Sequence, residues 1–123
     1  MVVGQGGVAG QGSDAEIDLV FHALSDATRR DILARVIRAE QSVSALAQHY
    51  PMSFAAVQKH VAVLERAQLV TKERRGREQV VHAGLAAVRR AAGYLDAYEE
   101  LWRSRAYRIS EILTEDTERN TES

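Results

Sequence analysis

Most of this chain reads with a helical period, and one segment does not: Leu69 to His82, LVTKERRGREQVVH. Val70 starts an extended run, Gly76 sits where a hairpin needs positive φ, and Gln79, Val80 and Val81 return as strand. Its tip, Arg74-Arg75-Gly76-Arg77, is almost entirely cationic. Three arginines beside a glycine repel each other unless an anion is near, although a merely solvated turn is the plainer alternative.

The segments before the hairpin are short and capped. Residues 1–12, MVVGQGGVAGQG, are Gly-rich and nearly uncharged and are expected to be a disordered tail. Ser13 opens SDAE, a capping-box pattern with Glu16. The helix after it carries Ile17, Val20, Phe21 and Leu24 at helical spacing. Ser25-Asp26 ends that helix and caps the next, where Ile32, Leu33, Val36 and Ile37 are expected inward and Arg29, Arg30, Arg35 and Arg38 mostly outward. Ser42 caps a short third helix with Val43, Leu46 and Ala47 as its apolar face. Pro51 ends it, because a residue before proline is pushed out of the helical region.

Ser53 caps the fourth helix. Val57, Val61 and Leu64 fall within about one 60° sector at 100° per residue. Ala55, Lys59, Ala62 and Arg66 lie opposite, with Gln58 flanking. The third helix, a turn and the fourth helix form a helix-turn-helix candidate, a pattern of low specificity by itself. Followed directly by a basic hairpin, it becomes a winged helix. The last helix is expected from about Leu85 to Leu113. Leu85, Val88, Ala92, Leu95, Trp102, Ala106, Ile109 and Leu113 follow a 3-4 alternation, with Glu99 the one break. Tyr94, Tyr98, Leu101 and Trp102 add large amphipathic surface of the kind interfaces favour. This helix and the first one read as a dimer interface through Ile17, Val20, Phe21, Leu95, Tyr98, Trp102, Ile109 and Leu113. For the first half of the last helix an intramolecular core role also holds. Residues 114–123 read as a polar tail, which leaves 13–113 as one folded domain.

Charge distribution sharpens the reading. The net charge of the 123-residue chain is −1. From Lys59 to Arg90, eight basic side chains meet only Glu65, Glu73 and Glu78, a local excess of +5 that leaves about −6 for the remainder. A basic stripe on an otherwise acidic protein is what a DNA footprint looks like, the alternative being a solvated charged surface. There are no cysteines, which excludes disulfides, thiolate metal sites and cysteine nucleophiles. No apolar run approaches the roughly 20 residues that span a bilayer, and no basic-then-apolar leader opens the sequence, so a cytoplasmic location is expected. No nucleophile elbow, phosphate loop or convergent Ser/His/Asp set argues for an enzyme.

The segments FHALSDATRRDIL, SVSALAQHYPMSFAAVQKHVAVLERAQLV and KERRGREQVVH resemble the ArsR-type winged-helix repressors of bacteria, over roughly residues 16–110. The resemblance implies a mostly α fold with a small β-hairpin, and a homodimer through the first and last helices. It implies a repressor of its own or a neighbouring operon that binds an inverted repeat in double-stranded DNA. The family's metal sensors carry a cysteine pair in the third helix or Asp/His sets on the last. Here the third helix reads Ser44-Ala45-Leu46-Ala47-Gln48-His49, and no histidine follows Leu85. His22, His49, His60 and His82 each stand alone, so no metal or cofactor is expected, and a small-molecule or protein effector stays open.

The DNA-binding candidates follow from the groove. A recognition helix must fit a cleft about 12 Å wide, and Ala55 and Ala62 keep its outer face thin. Gln58 can pair with adenine, and Lys59 can reach guanine acceptors or a phosphate. Ser53 and the free amides of the helix start can hold a phosphate. His60 either bonds a phosphate or braces the turn. Phe54 can touch a thymine methyl, with packing against the third helix the favoured role. Arg74, Arg75 and Arg77 would grip the backbone or the flanking minor groove. Arg66 is either structural or a phosphate contact, and Arg29 and Arg30 are read as structural. Two alternatives remain: a metal-responsive repressor with non-cysteine ligands, and a winged-helix protein-interaction module that binds no DNA.

Overall fold

The computed structural model describes residues 14–122. The readings for the Gly-rich tail and for the Ser13 cap lie outside them. In chain order the elements are α1 (Asp14–Leu24), α2 (Ala27–Arg38), β1 (Gln41–Ser42), α3 (Val43–Ala47), α4 (Phe54–Arg66), β2 (Val70–Arg75), β3 (Glu78–Ala83) and α5 (Leu85–Glu122). The fold is mostly helical, with a three-stranded antiparallel sheet in the order β1-β3-β2.

Caps set the element boundaries. Asp26, Ser42 and Ser53 each stand in extended backbone before a helix and accept a hydrogen bond from the amide three residues on, at Arg29, Ala45 and Ala56. Each bond satisfies an amide that the first helical turn leaves unpaired. The Arg29 amide holds the Asp26 carboxyl below its ordinary range, against a smaller opposing effect of burial. α3 closes earlier than proline requires. Bonds from the amides of Gln48, His49 and Tyr50 to carbonyls three residues back tighten its end, so the winding runs down to Tyr50 before Pro51. A strut then fixes that corner: the Tyr50 hydroxyl donates to Asp31 at 2.6 Å, and Asp31 also accepts from Arg35 at 2.8 Å. Burial, then the Asp31 bond, pushes the Tyr50 hydroxyl up to about 12.

The core gathers Val20, Ala23, Ile32, Leu33, Val36, Val43, Leu46, Val57, Val61, Leu64, Leu69, Val70 and Val81. Three sequence expectations change here. Ile37 is half exposed instead of inward, since α2 turns that flank to solvent. β1 is a strand of two residues that pairs Gln41 with Val81 and Ser42 with Val80, making the hairpin a three-stranded sheet. α5 does not end at Leu113 but continues to Glu122, carrying the polar segment as helix. Arg119 lies near Glu115 and Asp116, and the hydroxyls of Thr114 and Thr117 donate to the carbonyls of Ser110 and Leu113. Such i, i+3 and i, i+4 pairs support helix where no core does.

The path from α4 into the sheet is tight. Gln68 takes φ of 63°, the left-handed region usually left to glycine at a helix end, and its side-chain carbonyl accepts from Arg90 on α5. Gly84, between β3 and α5, donates its amide to the Leu69 carbonyl at 2.8 Å. A Cβ at Gly84 would lie 2.6 Å from the Gln68 carbonyl oxygen, and that oxygen belongs to the backbone. Gly84→Ala is therefore expected to destabilise the fold by about 1–3 kcal/mol, as overpacking does. Thermal unfolding followed by circular dichroism checks it, and an unchanged midpoint would show that the joint has slack.

Candidate nucleic-acid interface

α4 is held from one side. Val57, Val61 and Leu64 are fully buried, and the helix packs on α1, α2, α3 and β2. The opposite face is thereby turned out. Ser53, Phe54, Ala55, Gln58, Lys59 and Arg66 are exposed, and Ala62 is half buried. Among the described residues, Gln58, Lys59 and Arg66 have no side-chain hydrogen bond or ion pair within the chain. Donors with nothing to bind stand on a helix face kept shallow by two alanines.

His60 is on the side of α4 nearer the body. Its Nδ1 lies 3.2 Å from Arg29 Nη1 and 3.9 Å from Asp26. Of the two roles open to it, this geometry matches the brace. Arg29 also donates to the carbonyls of Ala23 and His22, and Arg30 to that of Leu24. These arginines close the C-terminal end of α1, where cations suit the helix dipole. Phe54 is 47% exposed and is not among the side chains packed on the core.

The hairpin sorts its arginines by face. Residues directly paired across antiparallel strands share a side, and the sides alternate along each strand. Lys72 pairs with Val81 and Arg74 with Gln79 on one side; Thr71 pairs with His82, Glu73 with Val80 and Arg75 with Glu78 on the other. Lys72 forms an ion pair with Glu65 of α4 at 3.4 Å, so its side of the hairpin is the one that meets that helix. Arg74 is next along it. Gly76 makes the turn at φ of 60°, and Arg77 follows. Arg74 and Arg77 are exposed and without an ion pair among the described residues.

Arg75 is placed differently. It binds Glu40 at 2.8 Å and Glu73 at 3.0 Å. His82 binds the same two carboxylates, Glu40 through Nδ1 at 2.7 Å and Glu73 through Nε2 at 2.9 Å. The His82 bond, then the nearby Arg75 charge, lowers the Glu73 carboxyl, and the Glu40 bond raises the Arg75 guanidinium. Arg75, expected to grip DNA beside Arg74 and Arg77, differs from them: its charge is matched within the protein, on the side of the hairpin that carries Glu73 and His82. The alternation of Lys72, Arg74 against Glu73, Arg75 was present in the sequence and could have separated the two kinds of arginine.

The remaining histidines do not converge. His22 is exposed on α1, and His49 stacks edge-on against Tyr50. Among the described residues no three His, Asp or Glu side chains are grouped to hold a metal ion, and no helix is long and apolar enough to cross a membrane.

A second exposed surface runs along α5, which packs chiefly against α1. Ala87, Ala91, Tyr98, Trp102 and Ile109 lie within about 60° of one another at 100° per residue. Ala87 and Ala91 are buried against the body. Further along the same stripe, Leu95, Tyr98, Leu101, Trp102, Ile109, Ile112 and Leu113 are all exposed, Trp102 by 65%. Phe21 meets Tyr94 edge-on at 5.8 Å, and Tyr94 meets Tyr98 at 5.6 Å, linking α1 to this stripe. Ile17 and Val20 do not belong to it. They are 2% and 1% exposed, already buried in their own protomer, and have no surface to offer a second copy.

Comparison with known proteins agrees with this architecture. Residues 24–73 match the family model of a helix-turn-helix domain. The HTH-type transcriptional regulator Rv2034 of Mycobacterium tuberculosis is 39% identical over 75 residues, spanning 58% of this chain and 70% of that protein. An ArsR-like transcriptional regulator from Rhodococcus sp. RHA1 superposes with a TM-score of 0.70 at 39% identity, covering 80% of this chain and 92% of the other. The homodimeric winged helix-turn-helix DNA-binding domain Mb0332 of Mycobacterium bovis superposes with a TM-score of 0.57 at 26% identity, covering 76% of this chain and 93% of that one.

Proposed function

The chain belongs to the ArsR-type winged helix-turn-helix transcriptional regulators, and from that footing we propose that it is a homodimeric repressor that binds an inverted repeat in duplex DNA. The observation that carries the reading is the set of unpaired donors on the outer face of α4 beside an unpaired pair of arginines on the wing. α4 enters the major groove, Gln58 meets an adenine edge, and Lys59 reaches guanine acceptors or a phosphate. Ser53 and the first amides of α4 take a phosphate. Arg66 adds a backbone contact. Arg74 and Arg77 hold the flanking backbone, while Arg75 keeps the wing at its angle through Glu40 and Glu73.

The dimer forms through the stripe on α5, with Phe21 of α1 at its edge. A helix carrying so much exposed apolar surface is not stable alone in water, and a second copy covers it. The homodimeric Mycobacterium bovis relative supports the same assembly here. Two reading heads related by a two-fold axis require half-sites about one helical turn apart, ~34–36 Å, or a multiple. Repression is steric: a dimer seated on the operator of its own or a neighbouring gene, in the cytoplasm, keeps polymerase off. Selection of duplexes from a random pool, followed by gel-shift titration at several salt concentrations, tests the reading. Failure to enrich any sequence would overturn it.

Three variants probe the parts. Lys59→Ala should weaken operator binding by more than ~1 kcal/mol with an unchanged circular dichroism spectrum; equal affinity would remove Lys59 from the interface. Arg77→Ala should reduce the dependence of log affinity on log salt by about 1.8, one released counterion for each protomer of the dimer, whereas Arg75→Ala should change that slope less. The reverse order would return Arg75 to the phosphate contacts. Trp102→Arg should give monomers in sedimentation, and a persisting dimer would move the interface elsewhere.

A further inference from the structure

Phe54 is the first residue of α4, directly after the Ser53 cap. It is 47% exposed. Single exposed apolar side chains are ordinary on protein surfaces, so exposure alone decides nothing. Position does. Phe54, Gln58 and Ala62 form one i, i+4 ridge along α4, and Ala55 and Lys59 form the ridge beside it. The ring therefore stands one turn before Gln58 on the face that carries unpaired donors. It is the large apolar group of a surface otherwise made of amide, ammonium, hydroxyl and methyl groups.

We propose that Phe54 is a specificity-determining residue that recognises the 5-methyl group of a thymine in the operator; this rests on the reading of α4 as the groove-entering helix. Across the four base-pair arrangements, the thymine methyl is the apolar group on the major-groove edge. An aromatic ring at the helix start meets it by excluding water, not by hydrogen bonding. Four residues of helix advance about 6 Å, and successive base pairs are about 3.4 Å apart. The thymine therefore lies one or two base pairs from the adenine met by Gln58. Phe54 adds to each half-site a requirement that no polar residue on α4 can impose.

The test uses the full-length protein and the operator recovered by unbiased selection. Each thymine position is replaced in turn, symmetrically in both half-sites, by deoxyuridine, which removes the methyl and leaves every polar group in place. The wild-type protein should lose affinity roughly three- to fivefold per half-site at one position, the effect of one methyl group kept from water. Phe54→Ala should bind thymine and uracil operators alike, and Phe54→Leu should keep part of the preference. Because the side chain lies outside the core, both variants should retain the wild-type circular dichroism spectrum. Wild-type protein that binds the operator but is indifferent to uracil everywhere would overturn this inference alone. So would Phe54→Ala that still discriminates. Failure to select any operator would overturn the DNA-binding reading together with it.

Discussion

The burial of Val57, Val61 and Leu64 is the constraint from which the rest follows. These three side chains fix the rotation of α4 about its own axis. Each contributes on the order of 1.5–3 kcal/mol when removed from water, and no rotated setting buries all three. With that rotation fixed, Gln58 and Lys59 have no protein to meet and must face outward. The same packing sets the wing, because Leu64 and Val70 share one core and the chain passes between them in a left-handed turn at Gln68. The outward face of α4 thus follows from the core and needs no separate device to orient it.

Electrostatics divides the hairpin by face. On one side, Glu40, Glu73, Arg75 and His82 contact one another in a closed ring, so charges that would otherwise repel are matched locally. These groups are all at least a quarter exposed, so the ring sets geometry more than it adds stability. Arg74 on the other side, and Arg77 after the turn, are left without partners among the described residues.

Much of this was legible in the residues. The caps at Asp26, Ser42 and Ser53, the glycine turn at Gly76, and the buried face of α4 all rest on local rules, and local rules are what a sequence states directly. What stayed hidden depends on contacts distant in sequence. β1 has two residues and no period of its own; only β3 makes it a strand. Ile17 and Ile37 both sit on amphipathic helices, and their burial depends on which flank a neighbour covers. The helix beyond Leu113 is polar and has no apolar period to announce it; local side-chain pairs support it instead. Arg75 looked like its neighbours until Glu40, 35 residues away, came beside it.

Gly84 is the sole residue between the wing and the long helix. Its amide is tied back to Leu69, and its α-carbon has no room for a substituent on the side of Gln68. α5 spans about 57 Å at 1.5 Å per residue, so its far end is a long lever arm acting on a very short pivot. With no spare chain between them, the end of β3 and the start of α5 are held in register, so the direction in which the long helix leaves the body is set at the sheet.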